Sequence, residues 1–180
     1  MAVRPILKMG NPLLLQPAEP VTAFGTAALQ ALIDDMRDTM NAHQGAGLAA
    51  TQIGISLQVV IFGGKNNSRY PNAEEIPETI LINPMLTVMS STLEESWEGC
   101  LSVPGLRGLV PRYLEVRYQG FDLEGNVIDR TVNGFHARVV QHECDHLFGM
   151  LYPQRLRNPA LFGFEDELRA AGIAGPTLEE

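Results

Sequence analysis

The chain carries a dense run of potential metal-binding side chains at residues 140–147, which read Val140-Gln141-His142-Glu143-Cys144-Asp145-His146-Leu147. The run contains H-E-x-x-H, and its neighbourhood has the spacing of a helix. Positions i and i+4 share one face of a helix, so the two imidazoles can point at a single ion. Glu143 follows His142 directly and can reach water at that ion without binding the ion itself. The pattern therefore predicts a hydrolytic metal site.

The motif alone is not specific, because it fixes three positions and also occurs by chance in helices that bind no metal. Two neighbouring features favour the metal. Asp145 adds an acid that could support the ligands, and two of the four histidines in the chain fall within the motif.

Composition and charge restrict the class of protein. A chain of 180 residues, with 45% hydrophobic and 19% charged residues, suits one domain with its own core. The net charge of −8 argues against a general nucleic-acid binder, so we expect no specific nucleic-acid partner. No apolar run approaches the ~20 residues that cross a bilayer, and the N-terminus lacks the apolar segment of a signal peptide. We therefore expect a cytoplasmic protein without a membrane contact, in which Cys100 and Cys144 form no disulfide.

Hydrophobic periodicity predicts helices separated by strands. Apolar residues at i, i+3, i+4, i+7 and i+11 indicate a helix over residues 26–42, with Thr26 as its N-cap. A Pro-rich arm precedes it, and a polar loop covers residues 63–79. Strands are expected over residues 58–62 and 80–84, the second ended by Pro84 with the sheet resuming at 85–90, and over a hairpin at 114–118 and 127–132. The motif helix follows, then a short helix at 164–171 and a frayed tail at 172–180.

Two further stretches are unusual. Gly45-Ala46-Gly47-Leu48-Ala49-Ala50-Thr51-Gln52 is rich in small residues, which let the backbone approach another group closely, although a tight turn would explain them equally well. In the second stretch, residues 94–105, Cys100 follows Gly99 and comes two residues after Glu98. A lone cysteine is usually a small buried side chain, but this setting indicates a position beside a cleft.

The third metal ligand has two candidate sources, because hydrolytic zinc-type sites use three protein ligands and leave one position for water. Cys100 could supply a thiolate from a separate segment. Glu165 or Asp166 could supply a carboxylate about 20 residues beyond the motif, as in thermolysin-like proteases. Those proteases have larger, two-lobed architectures, and acids at a helix start also suit the helix dipole.

Three motifs together give the chain a specific resemblance. Gly45 to Gln52, Glu98-Gly99-Cys100-Leu101-Ser102 and Gln141 to His146 match G-x-G-L-A-A-x-Q, E-G-C-L-S and Q-H-E-x-D-H, in that order. This series resembles the peptide deformylase family over nearly the whole chain. The resemblance implies an enzyme that removes the formyl group from the N-terminal formyl-methionine of new polypeptides and releases formate. It also favours Cys100 as the third ligand.

The resemblance further implies a role for each matching residue. Cys100, His142 and His146 would hold one divalent ion, most often Fe2+, which Zn2+, Ni2+ or Co2+ can replace. Glu143 would act as the base, and the Leu101 N–H and the Gln52 amide would stabilise the oxyanion. The partners would be N-formylmethionyl nascent peptides emerging from the ribosome. The expected substrate contacts are Gly45, Gly47, Leu48, Glu98, Gly99, Arg107, Phe135 and Val139, with Leu101 and Trp97 as further candidates for the methionine pocket.

Three expectations complete the sequence-based picture. Asp145 lies between two ligands and needs a counter-charge, for which Arg112 is the candidate. Arg138, one turn before His142, is expected near the pocket mouth or simply on the surface. The fold is expected to be α+β, with antiparallel sheets around one central metal-binding helix, in a single compact domain over residues 1–180.

Overall fold

The computed structural model describes residues 2–64 and 75–173. Besides four short 3-10 helices, its regular elements within those ranges are three α-helices and eight strands. In chain order they are α1 (Ala27–Ala42), β1 (Gly47–Ala49), β2 (Val59–Phe62), β3 (Thr79–Val88), β4 (Leu93–Cys100), β5 (Val103–Tyr113), β6 (Glu115–Phe121), β7 (Val127–Asn133), α2 (Gly134–Leu147), β8 (Phe162–Phe164) and α3 (Glu165–Ala170).

Two antiparallel sheets surround α2. One has five strands in the order β1-β2-β3-β6-β7, and the other has three in the order β4-β5-β8. Helix α2 packs on β1, β2, β6 and β7 of the first sheet and on β5 of the second. Its apolar side chains Val140, Cys144 and Leu147 join a core cluster that also contains Phe62 and Tyr118. The predicted α+β fold with a central helix is confirmed.

Helix α1 begins where its sequence predicts. The Thr26 hydroxyl accepts a hydrogen bond of 3.2 Å from the Leu29 N–H, which satisfies one of the unpaired donors at the helix start. Ile33 and Met36 are fully buried, in a second core cluster with Leu48 and Val59. This cluster holds α1 against the loop region from which β1 begins, and so fixes the position of the first glycine-rich stretch.

The prediction that Pro84 ends a strand is wrong. Strand β3 continues to Val88, with a register shift between Ile82 and Met85. Asn83 adopts a positive φ of 50° at this bulge, and its side-chain amide binds the backbone of Val21 at 2.8 and 2.9 Å. A proline has no N–H to give to the ladder, and the bulge is a place where none is needed.

Residues 93–113 form a long hairpin of β4 and β5 that the sequence did not predict. Glu94, Glu95, Gly99, Pro104 and Pro111 all disfavour strands when considered alone. The pairing runs from Leu93 opposite Tyr113 to Cys100 opposite Val103. Cys100 therefore lies at the tight end of this hairpin.

Some expectations fall on residues outside the described ranges. They are residues 65–74 of the predicted polar loop and residues 174–180 of the predicted tail. The predicted C-terminal helix is present as α3. Among the described residues, no helix combines the length and apolar character needed to span a membrane.

Candidate metal centre

Helix α2 presents two histidines on one face, as the i, i+4 spacing requires. The ring centroids of His142 and His146 are 5.2 Å apart. His146 is 1% exposed, so the helix carries it deep into the interior. Burial is the largest cause of its lowered pKa, which keeps the imidazole neutral and able to donate a lone pair.

Cys100 completes a three-residue cluster from the end of β4. Its Sγ lies 3.4 Å from His146 Nε2, and one donor atom from each of Cys100, His142 and His146 falls within 4.8 Å of the others. One sulfur and two nitrogens are a donor set suited to a divalent transition metal. Burial alone would lower the pKa of His142, but its contacts with Cys100 and Glu98 raise it, and such a proton is one that a metal ion would displace.

The alternative carboxylate ligands lie elsewhere. Glu165 pairs with Arg107 at 3.2 Å and with Arg169 at 2.8 Å, and Asp166 is exposed at the start of α3. In the described part of the chain, neither belongs to a group of side chains close enough to share an ion.

Glu98 lies behind His142, which corrects the expectation that Glu98 contacts substrate. It is 5% exposed, and its Oε2 is 2.9 Å from His142 Nδ1, which leaves Nε2 of that ring to face Cys100. Arg112 donates to both carboxylate oxygens at 2.8 Å. Burial alone would raise the pKa of Glu98, but Arg112 and His142 hold it well below its ordinary range. Glu98 is therefore an anion that orients a ligand ring.

Arg138 shares this buried network, so its expected position at a pocket mouth or on the surface is wrong. It is 6% exposed and donates to Glu98 at 2.9 Å and to the carbonyl oxygens of Val110 and Glu94. A carboxylate as deeply buried as Glu98 needs counter-charges, but no spacing in the sequence indicates which arginines provide them.

Asp145 extends the network on the other side of Arg112. The structure contains the pair that the sequence suggested between these two residues, and Arg155 adds a two-point contact to the same carboxylate. Arg155 belongs to no motif, and sequence reasoning did not find it. The acids and arginines together tie α2 to the β4–β5 hairpin, which brings the histidines to the cysteine.

Glu143 lies against β1. Its side chain is 5% exposed, and its Oε2 has no hydrogen-bond partner among the described residues. Burial raises the pKa of its carboxyl to about 7. A Cβ built at Gly47 would lie 2.4 Å from Glu143 Oε1. The space left by this glycine is therefore taken by Glu143, whereas the sequence suggested that a substrate would occupy it.

Gln52 holds its amide at the cluster. Its Oε1 accepts the Ala49 N–H at 2.8 Å, and its Nε2 lies 3.1 Å from Ser102 Oγ and 3.4 Å from Cys100 Sγ. The first bond fixes the orientation of the amide, so its N–H groups face the cysteine. An N–H donor is thus fixed next to the potential metal ligands.

The remaining predicted substrate contacts lie in different surroundings, and several of them pack against other parts of the protein. Leu48 is fully buried in the core, so its side chain cannot touch a substrate. Gly99 lies beneath the Arg107 guanidinium, which would be 3.0 Å from a Cβ there. Gly45 packs on Leu101. Val139 and Phe135 belong to or border the core cluster around α2.

Comparison with known proteins identifies this arrangement. The polypeptide deformylase family matches residues 3–161. The chain belongs to this family. It is 63% identical to peptide deformylase 1 of Nitrosomonas europaea over 166 residues, covering 92% of this chain and 94% of that one.

Solved structures agree with this assignment. A class I type b peptide deformylase of Acinetobacter baumannii with Met-Ala-Ser bound superposes with a TM-score of 0.83 at 39% identity, covering 86% of this chain and 99% of that one. The peptide deformylase of Thermotoga maritima gives a TM-score of 0.78 at 31% identity, covering 88% and 100%. The predicted family, enzyme class and deformylase function are confirmed.

Proposed function

We propose that this protein hydrolyses the formyl group of N-formylmethionyl peptides at the cluster of Cys100, His142 and His146, with Glu143 as the base. The observation that carries the proposal is the convergence of these three ligand atoms within 4.8 Å of one another. Beside them lies Glu143 Oε2, a buried carboxylate oxygen that makes no hydrogen bond to the described residues. A hydrolytic centre needs this combination of an ion site and a proton acceptor.

The three donors fit one divalent ion. A thiolate and two neutral imidazoles accommodate Fe2+, Zn2+, Ni2+ and Co2+, and we propose Fe2+ as the native ion, by analogy with the family. When bound, the ion would polarise the formyl oxygen and lower the pKa of water at the site from about 16 toward 7. Glu98 supports the site by accepting the Nδ1 proton of His142, which keeps Nε2 available as a ligand.

Glu143 is proposed to move the proton. It would take a proton from the attacking water and pass it to the amine that leaves with the peptide, as a general base and then a general acid. Its burial and its unpartnered Oε2 support this role. Gly47 supports it as well, because any side chain there would displace the carboxylate.

Gln52 and Leu101 are proposed to stabilise the oxyanion. The Gln52 amide is held by Ala49 with its N–H groups toward Cys100, and the Leu101 N–H follows that cysteine directly in the chain. One such donor contributes about 3 kcal/mol to transition-state stabilisation. The Gln52 amide is held in this orientation before substrate arrives, because its Oε1 accepts the Ala49 N–H.

The substrate backbone is proposed to lie between two strand edges. Strands β1 and β4 are each the edge strand of a sheet, so each has backbone groups that no neighbouring strand pairs with. An extended peptide can pair with such an edge without a sequence requirement. The methionine side chain would enter the apolar region that Phe135 and Val139 border.

The cellular setting is also a proposal. We propose a cytoplasmic enzyme of one catalytic domain that meets its formylated substrates as they leave the ribosome. The support is the substrate class, because formyl-methionine is the first residue of a new chain in bacteria, and the similar protein of Nitrosomonas europaea is bacterial.

The decisive experiment measures formate release from formyl-Met-Ala-Ser together with the metal content of every sample. Wild type should release formate, and metal-loaded Glu143→Ala should lose about 10²–10⁴-fold in kcat. Asp166→Ala, which removes an exposed acid that is not at the cluster, should match wild type. If metal-loaded wild type releases no formate, the proposed function is wrong.

A further inference from the structure

A cavity of about 400 Å³ opens directly beside the metal-ligand cluster. Gly99, Cys100 and Leu101 form part of its lining, and the rest of the wall carries Lys8, His43 and Arg107. A peptide whose first residue is held at the cluster has to continue past these side chains if it follows the end of β4. On that path the cavity would face the substrate residues that come after the methionine.

The charge of this cavity is positive on balance. Glu165 is the one acid among the described lining residues, and it is already paired with Arg107 at 3.2 Å and with Arg169 at 2.8 Å. Arg107 is therefore ion-paired, and its side chain is only 10% exposed. Lys8 and the His43 ring are exposed to solvent at the same wall. The charge that a ligand meets there is that of Lys8.

Lys8 is held in place by its backbone. Leu7 donates its N–H to the carbonyl of Gln52 at 2.8 Å, and Met9 donates to the carbonyl of Ser102 at 2.7 Å. These bonds tie the residues on both sides of Lys8 to the two segments that carry the oxyanion donors. The ammonium therefore stays near the cleft although its side chain is flexible.

We propose that Lys8 is a specificity-determining residue that favours substrates with an acidic side chain at the second or third position. This inference rests on the proposed function. An aspartate there would gain the attraction of Lys8 while both groups stay partly hydrated, so little desolvation opposes it. A substrate lysine would meet repulsion from the same charge.

The test compares C-terminally amidated peptides, because a free C-terminal carboxylate would itself be drawn to Lys8. Formyl-Met-Ala-Ser amide is the reference, and aspartate or lysine replaces alanine or serine in turn. For metal-loaded wild type we expect kcat/KM to be about two- to fivefold higher with aspartate than with lysine at one of these positions, the range that exposed ion pairs give. The preference should shrink as salt is raised.

Two variants of Lys8 test whether this residue causes the preference for aspartate. Lys8→Gln should abolish the preference and Lys8→Glu should reverse it. Arg157→Glu makes the same charge change at a different cavity, on the far side of α2, and should keep the wild-type order. Equal kcat/KM for all peptides with wild type, or an unchanged order in Lys8→Glu, would overturn this inference while leaving deformylation intact. No release from any peptide would instead overturn the proposed function.

Discussion

Gly47 and Glu143 fit together as a backbone and a side chain that share one space. A Cβ at residue 47 would lie 2.4 Å from Oε1, 2.5 Å from Cδ and 2.6 Å from Cγ of Glu143. Real Cβ atoms do not approach other atoms so closely, and the carboxylate is confined because it is 5% exposed. The glycine of the first motif is therefore required by the acid of the third motif, 96 residues later in the chain.

Replacing this glycine should impair catalysis without removing the ion. In Gly47→Ala the methyl group must push Glu143 aside by about 1 Å, a displacement that can cost about 10²-fold in kcat. Metal content should stay at the wild-type level, because the three ligands come from α2 and β4. Gly163→Ala is the control, since its Cβ would make only ordinary contacts of 3.5–3.8 Å with Leu168. Wild-type kcat in Gly47→Ala would contradict this argument.

Replacing each of the two cysteines by alanine should have very different effects on metal binding. Cys100→Ala removes a proposed ligand, and we expect metal affinity to fall on the order of 100-fold or more. This exceeds the roughly 10–100-fold loss that follows when a residue hydrogen-bonded to a ligand is removed. Cys144→Ala should keep its metal, because Cys144 is packed in the core on the opposite face of α2. Burial raises the pKa of its thiol, which makes it a poor thiolate. Metal analysis after dialysis would show the difference, and full retention in Cys100→Ala would remove Cys100 from the ligand set.

Arg112 should matter for both stability and the metal. It is 3% exposed between Glu98 and Asp145, and removing one partner of a buried ion pair costs about 3–5 kcal/mol. The freed Glu98 would also hold His142 less firmly, so metal affinity should fall about 10–100-fold in Arg112→Ala. Arg117→Ala is the matched control, because its pair with Asp129 is exposed and its loss should hardly change urea unfolding. Unaltered metal affinity in Arg112→Ala would show that the ion pairs of Arg112 do not support metal binding.

The sequence predicted the parts of the site that depend on local spacing. The i, i+4 geometry of α2 follows from helix periodicity alone, so the motif is sufficient to assign both histidines to one face. The motif order favoured Cys100 over Glu165, although the hairpin that positions Cys100 is not predicted, because its acids, glycines and prolines have low strand propensity. Its stability comes from pairing with β5 and from the buried ion pairs, which are contacts between distant residues.

Roles that depend on tertiary contacts are harder to assign from the sequence. Motif similarity suggests a substrate contact for Glu98, which lies behind a ligand instead. Spacing misplaces Arg138 and gives no indication of Arg155. In each case the deciding fact is which charge faces a buried acid, and sequence spacing carries no information on that.

The N-terminal arm should make stability depend on pH through Asp35. The largest cause of the lowered pKa of this carboxyl is a hydrogen bond from Arg4, followed by one from the Ala2 N–H. A carboxyl with a lowered folded-state pKa stabilises the fold above its unfolded pKa of about 3.9, and that stability is lost as the pH falls through the folded value. Wild type should therefore be more stable than Asp35→Asn near pH 7, and the difference should vanish in strong acid. A difference in urea unfolding that does not change with pH would exclude this source.

Air should inactivate the iron form of the protein faster than the nickel or zinc forms. Cys100 is 8% exposed at the cleft, and Fe2+ bound by a thiolate is prone to oxidation, which can carry the sulfur to sulfenic and sulfinic acid. Activity and intact mass should be followed together for each metal form, with and without air. The iron form should lose activity and gain oxygen at Cys100, and Cys144, which is 2% exposed, should stay unmodified in the same samples. Air-stable activity in protein that carries only Fe2+, or oxidation confined to Cys144, would show that the thiolate of Cys100 is not the sensitive group.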